Sequence, residues 1–161
     1  MKTLMKNDKL IIGMVHLPPL PGSPNFNDDK NLNKTLKSVE SDIKSLQENG
    51  IDAIMFGNEG DRPYLLKASN ESLSAMAYII GIVKNFVKVP FGVNYLWDPV
   101  ATVALGSICN ANFVREVFTG VYDSDMGLWN PKAAEALRLR SQLNRTDMKI
   151  LFNVNAEFAS P

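Results

Sequence analysis

Short apolar runs separated by amphipathic stretches set the rhythm of this chain. Leu10-Ile11-Ile12-Gly13-Met14-Val15 is apolar throughout, with polar residues before it and prolines soon after, and reads as a buried strand. Runs of the same kind cover residues 51–56, 90–96, 111–117 and 148–154. Between the first two, Leu32, Leu36, Val39, Ile43 and Leu46 fall three or four apart, which predicts a helix starting near Asn31 or Asn33 and stopped by Gly50. Further helices are expected over about 70–86, capped by Ser69 or Asn70, over 99–110, and over 133–143, where Pro131 suits a first turn. Pro18, Pro19, Pro21, Gly22 and Pro24 exclude helix from 17–29 and predict a rigid loop, and 119–129 reads as a long loop bearing glycine and aspartate.

Strands alternating with helices imply a parallel sheet, because parallel neighbours need a crossover that a helix usually supplies. Four βα units followed by a fifth strand predict an α/β fold, an incomplete (β/α)8 TIM-type barrel, since the complete barrel typically runs to about 250 residues. No linker or low-complexity tract divides the chain, so residues 1–161 are expected to form a single partial barrel domain. The first and fifth strands would then be open edges. The chain is accordingly expected to be completed by a separate C-terminal fragment, to associate as a homo-oligomer, or to be an inactive truncation.

A hydrophobic content of 45% beside 21% charged residues belongs to a folded protein rather than a disordered one. Seventeen basic residues balance seventeen acidic ones, so no net field draws nucleic acid or anionic lipid. The run after Lys2, Lys6 and Lys9 is broken by His16 and Pro18-Pro19 before a secretory core could form. No apolar stretch approaches the roughly 20 residues needed to cross a bilayer. Cys109 is the single cysteine, which excludes an internal disulfide and points to the cytoplasm.

In parallel α/β folds ligands bind at the carboxyl ends of the strands. His16, Asn58, Asp61, Asn94, Arg115, Asp125, Asn155 and Glu157 all lie at or beyond such ends. His16, the lone histidine, has the one side chain of ordinary near-neutral pKa and is a candidate general acid or base, or else a partner of the loop backbone. Asp61, Asp125 and Glu157 are candidate acids, or solvated loop carboxylates. No metal-ligand spacing is present and no resident cofactor is indicated, although these three carboxylates could hold Mg²⁺ through a phosphorylated substrate.

Arg115 interrupts an apolar strand and is expected to be buried and paired, with a bound anion or with an acid on another strand. Asn58 and Asn94 are candidates to orient a substrate hydroxyl, or to satisfy the turning backbone. Strand alternation puts Asn153, Asn155 and Glu157 on one face and Phe152 and Val154 on the other. Trp97 and Trp129 could line a sugar-binding mouth or simply pack. Neither GxGxxG, GxxxxGK[ST] nor GxSxG occurs, and Cys109 falls inside a helical run, which argues against a nucleophilic role.

Ile12-Gly13-Met14-Val15-His16-Leu17-Pro18-Pro19-Leu20-Pro21-Gly22-Ser23-Pro24 resembles the opening signature of the BtpA family. Gly92-Val93-Asn94-Tyr95-Leu96 resembles its third strand, and Phe113-Val114-Arg115-Glu116-Val117-Phe118-Thr119-Gly120-Val121-Tyr122 its SgcQ branch. The resemblance implies a barrel similar to ribulose-phosphate-binding barrels. It implies either an enzyme of sugar metabolism acting on a phosphorylated sugar or nucleoside, or a non-catalytic assembly factor of the photosystem I biogenesis type. On the enzyme reading His16, Asp61, Asp125 and Glu157 are catalytic candidates, and Asn58, Asn94, Arg115 and Asn155 bind substrate.

Overall fold

The structure is a computed structural model that describes residues 9–156 and 159–160. Strand β1 (Ile12–His16), helix α1 (Asn33–Glu48), β2 (Ala53–Gly57), α2 (Asn70–Val83), β3 (Phe91–Asn94), α3 (Pro99–Cys109) and β4 (Phe113–Glu116) follow in alternation. A hairpin of β5 (Tyr122–Ser124) and β6 (Gly127–Trp129) precedes α4 (Ala133–Gln142), β7 (Lys149–Phe152) and the two-residue β8 (Ala159–Ser160). One parallel sheet runs β1-β2-β3-β4-β7, and a small antiparallel sheet runs β6-β5-β8. Each strand of the larger sheet adds beside the one before it, as around a barrel, without the reversal of order that marks a doubly wound sheet. This is the expected fold class of four βα units and a fifth strand.

Local chemistry explains the element boundaries. Asp98 opens α3 by accepting from the backbone N–H of Val100 at 3.1 Å and Ala101 at 2.9 Å, with Pro99 in the first turn, and Asn110 closes it at φ 62°. Ser69 caps α2 through Ser72 N–H. No capping side chain precedes α1, and Asp28 and Asp29 take its first N–H groups instead, those of Asn33, Lys34 and Thr35. β3 stops short of the sequence-predicted end because Tyr95 N–H turns away to Thr102 Oγ1 at 2.9 Å.

Alternation gives the sheet two apolar faces. Val15, Ile54, Phe56, Val93 and Val114 face the helices and pack with Val39, Ile43, Met76, Ile79, Ile80 and Val103. Ala53, Met55 and Phe113 form the opposite cluster with Ile12, Met14 and Leu151, on what is the interior side of a barrel. His16, Gly57 and Asn94 stand level across three neighbouring strands at the carboxyl rim. Among the described residues no helix is long and apolar enough to cross a membrane.

One stretch differs from the sequence reading. Residues 119–129, expected as a plain loop, contain the β5–β6 hairpin, in which Ser124 pairs with Gly127 at φ 96°. Its strands are three residues each, too short for alternation to show in sequence. Its buried side chains, Tyr122 and Trp129, rest against Trp97.

Gly92 lies opposite Phe113 across the β3–β4 pair, and the phenyl ring fills the space a side chain would need. A Cβ there would clash with Cε2 of Phe113. Gly92→Ala is therefore expected to cost about 1–3 kcal/mol by overpacking, read as a lower urea midpoint. An unchanged midpoint would contradict this packing.

Candidate active site at the strand ends

A cavity of about 280 Å³ opens beyond β3, β4 and β7. Glu59 and Tyr64 line it from the β2–α2 loop, Leu96 and Trp97 follow β3, Arg115, Glu116 and Val117 come from β4, Trp129 from β6, and Asn153, Val154 and Asn155 follow β7. At its base Glu116 is 3% exposed. The carboxylate accepts from Asn94 Nδ2 at 2.6 Å, from Trp97 N–H at 3.1 Å and from its neighbour Val117 N–H at 2.7 Å. Burial disfavours its charged form and pushes its pKa up to about 7, against the opposing pull of those three donors and of the Arg115 guanidinium.

Trp97 owes its position to the same carboxyl. Its backbone is left-handed, φ 74°, a conformation that L side chains rarely adopt, and in it the N–H meets Glu116. Its ring meets Trp129 edge-on at 4.9 Å and Tyr64 at 6.2 Å, while Tyr122 continues the cluster 5.4 Å from Trp129. The Trp97 indole N–H is buried and has no hydrogen-bond partner among the described residues.

Arg115 differs from its sequence reading. It is exposed rather than buried, because the interior face is open at the rim where it sits. Its Nε donates to Asn153 Oδ1 at 2.6 Å, and among the described residues it forms no ion pair.

A second cavity, of about 220 Å³, lies between the proline-rich loop after β1 and the start of α2. Asp61 accepts there from Leu20 N–H and from the Ser72 hydroxyl, and Ser72 Oγ accepts from Tyr95 O–H at 2.8 Å. Burial raises the Tyr95 phenol above its ordinary pKa. Asn58 is buried and its Oδ1 accepts from Leu96 N–H at 2.7 Å. Tyr64 and Leu96 line both cavities.

The residues nominated from sequence are thus distributed. Arg115 and Asn155 line the first cavity, Asn58 and Asp61 the second. Asn94 is buried against Glu116. His16 is exposed at the end of β1 and lines neither cavity, and Asp125 is exposed at the hairpin turn. Glu157 lies outside the described residues. Sequence reasoning missed Glu116, Ser72 and Tyr95. The signal for Glu116 was present, since a carboxylate in an apolar strand run needs the same explanation as the Arg115 beside it. Among the described residues no three His, Cys, Asp or Glu side chains gather as a metal site. Cys109 is buried, which pushes its thiol up to about 11 and leaves it a poor nucleophile.

Comparison with known proteins places this geometry in a family. SgcQ of Escherichia coli (strain K12) is 41% identical over 159 residues, covering 99% of this chain and 59% of SgcQ. The photosystem I biogenesis protein BtpA of Synechocystis is 35% identical over 154 residues, covering 94% of this chain and 53% of its own. The chain spans little more than half the length of these relatives. The crystal structures of dihydropteroate synthase from Vibrio fischeri ES114 and Clostridium difficile match with TM-scores of 0.62 and 0.60 at 14% and 16% identity. Each match covers 92% of this chain, and 46% and 49% of the respective synthase, and shows a shared α/β-barrel fold. The family model of BtpA matches residues 7–161, and the chain belongs to the BtpA family.

Proposed function

We propose that the whole protein is an enzyme acting on a phosphorylated sugar or nucleoside at the carboxyl rim of the barrel. The observation that carries this reading is the buried Glu116 carboxyl, with a pKa of about 7, lining a cavity that Arg115 also lines. A carboxyl of that pKa is present in both forms at neutral pH and can give or take a proton, the role the sequence suggested for His16. The planar fork of Arg115 suits a phosphate or carboxylate, and Asn153 holds it at the cavity wall. Trp97, Trp129 and Tyr64 offer aromatic faces to the apolar side of a sugar ring or a base. The reaction on this reading is one that needs a single proton moved at the substrate's edge.

The name of the Synechocystis relative favours a second reading, a non-catalytic assembly factor. Exposed Leu128, Phe152 and Val154 near the cavity would then serve a protein partner. A thermal-shift screen of sugar phosphates and nucleoside monophosphates separates the two. The enzyme reading expects stabilisation by at least one compound, lost in Arg115→Ala, whose own folding stability stays within about 0.5 kcal/mol of wild type because the side chain is exposed. Stabilisation by none of them would favour the assembly reading.

A second expectation concerns pH. A carboxyl whose pKa rises on folding contributes its full stabilisation below the unfolded value, 4.5, and loses it as pH rises through about 7. Wild-type stability should therefore fall relative to Glu116→Gln between pH 5 and pH 8, by up to about 3 kcal/mol. Parallel urea-derived stabilities across that range would contradict the raised pKa.

A further inference from the structure

We propose that the two cavities are halves of one ligand site and that its ligand is two-ended, an anionic group on Arg115 joined to a hydroxyl-bearing group read by Tyr95, Ser72 and Asp61. This inference rests on the enzyme reading above and narrows its substrate class. Three observations carry it.

The first is continuity. Tyr64 and Leu96 line both chambers, so the two adjoin at these side chains and a ligand long enough to pass over them would occupy both. Small-molecule sites usually enclose about 300–1,000 Å³. Neither chamber reaches that range alone, and the two together fall inside it.

The second is the contrast in chemistry. The first chamber holds a guanidinium, which seeks an anion. No cationic side chain is among those lining the second, which offers oxygen atoms instead. The direction of its hydrogen bonds is fixed by Asp61. Ser72 donates to the Asp61 carboxyl and in turn accepts from Tyr95. The protons of both hydroxyls are thereby committed to the protein. Tyr95 and Ser72 therefore present acceptor oxygen to a ligand, and Asn58 Nδ2 and the Ser69 hydroxyl line the same chamber as donors, a mixed set that suits the hydroxyls of a sugar ring.

The third is rigidity. Pro21, Gly22 and Pro24 wall the second chamber, with Gly22 at φ 97° packed so closely on Glu71 that a Cβ would lie 2.7 Å from its carboxylate oxygen. Ser23 Oγ ties the same loop to the Arg62 carbonyl at 2.7 Å. Tyr64 O–H is held by Glu59 across the chamber wall. A chamber built this way is formed before the ligand arrives and loses little entropy on binding.

Isothermal titration of the chain with inorganic phosphate and with ribose 5-phosphate tests the idea. Ribose 5-phosphate should bind at least about tenfold more tightly than phosphate. Tyr95→Phe keeps the packing and should cost ribose 5-phosphate about two- to tenfold, the loss expected for one hydrogen bond, with phosphate affinity unchanged. Leu65→Trp, at an exposed residue of the second chamber, should block ribose 5-phosphate and spare phosphate, without relying on the Tyr95 variant to fold. Equal affinity for the two probes, or variants that weaken both alike, would overturn the two-ended site while leaving the anion site standing. If neither probe binds the wild-type chain, the two-ended site is overturned, while the enzyme reading stands or falls by the wider screen of sugar phosphates and nucleoside monophosphates.

Discussion

A carboxyl group buried at the end of β4 constrains most of what surrounds it. Taking Glu116 out of water disfavours its charge, and the structure offsets that cost with three donors and a nearby guanidinium. Those donors have consequences of their own. Asn94 must stay buried between β3 and β4 to reach it, and Trp97 must hold a left-handed backbone to point its N–H inward. Once Trp97 is fixed, its ring anchors Trp129 and Tyr64, and through Trp129 the hairpin that walls the cavity. The local strain at Trp97 is thus compensated by the carboxyl it serves, the pattern expected where backbone geometry is set by a site.

The parallel sheet supplies the stage. Because helices cross over between all its strands, every strand of the main sheet delivers its carboxyl end to one rim, and the loops that follow gather there. That rim is not a single ring. The loop after β2 inserts Tyr64 between two chambers, one facing β4 and β7 and the other facing the proline-rich loop. At its margins β1 pairs only with β2, and β7 only with β4, among the described residues.

The strand–helix alternation was legible because each element carries its own local signal. Gly50 ends α1, Asp98 with Pro99 begins α3, and the apolar runs mark the buried strands. The proline-rich loop likewise identified the family from sequence. The hairpin was not legible, since three residues per strand carry no readable alternation and its buried Tyr122 and Trp129 share a cluster with Trp97, far away in sequence. The site was half legible for the same reason. Polarity at strand ends pointed to Arg115, Asn155, Asn58 and Asp61, all of which line a cavity. It also pointed to His16 and Asp125, whose chemistry is suitable but which line neither. Glu116, beside Arg115 in the same apolar run, was not singled out. What raises its pKa is burial, which the tertiary fold creates with residues as distant in sequence as Trp97 and which periodicity cannot find.

The state of that carboxyl can be observed without knowing any ligand. With glutamate side chains labelled with ¹³C and Glu116→Gln used for assignment, the Glu116 carboxyl carbon can be followed by NMR as pH is raised. A titration midpoint near 7 is expected. A midpoint in the ordinary glutamate range, about 4 to 5, would show that the group is solvated and that the cavity is not built around it.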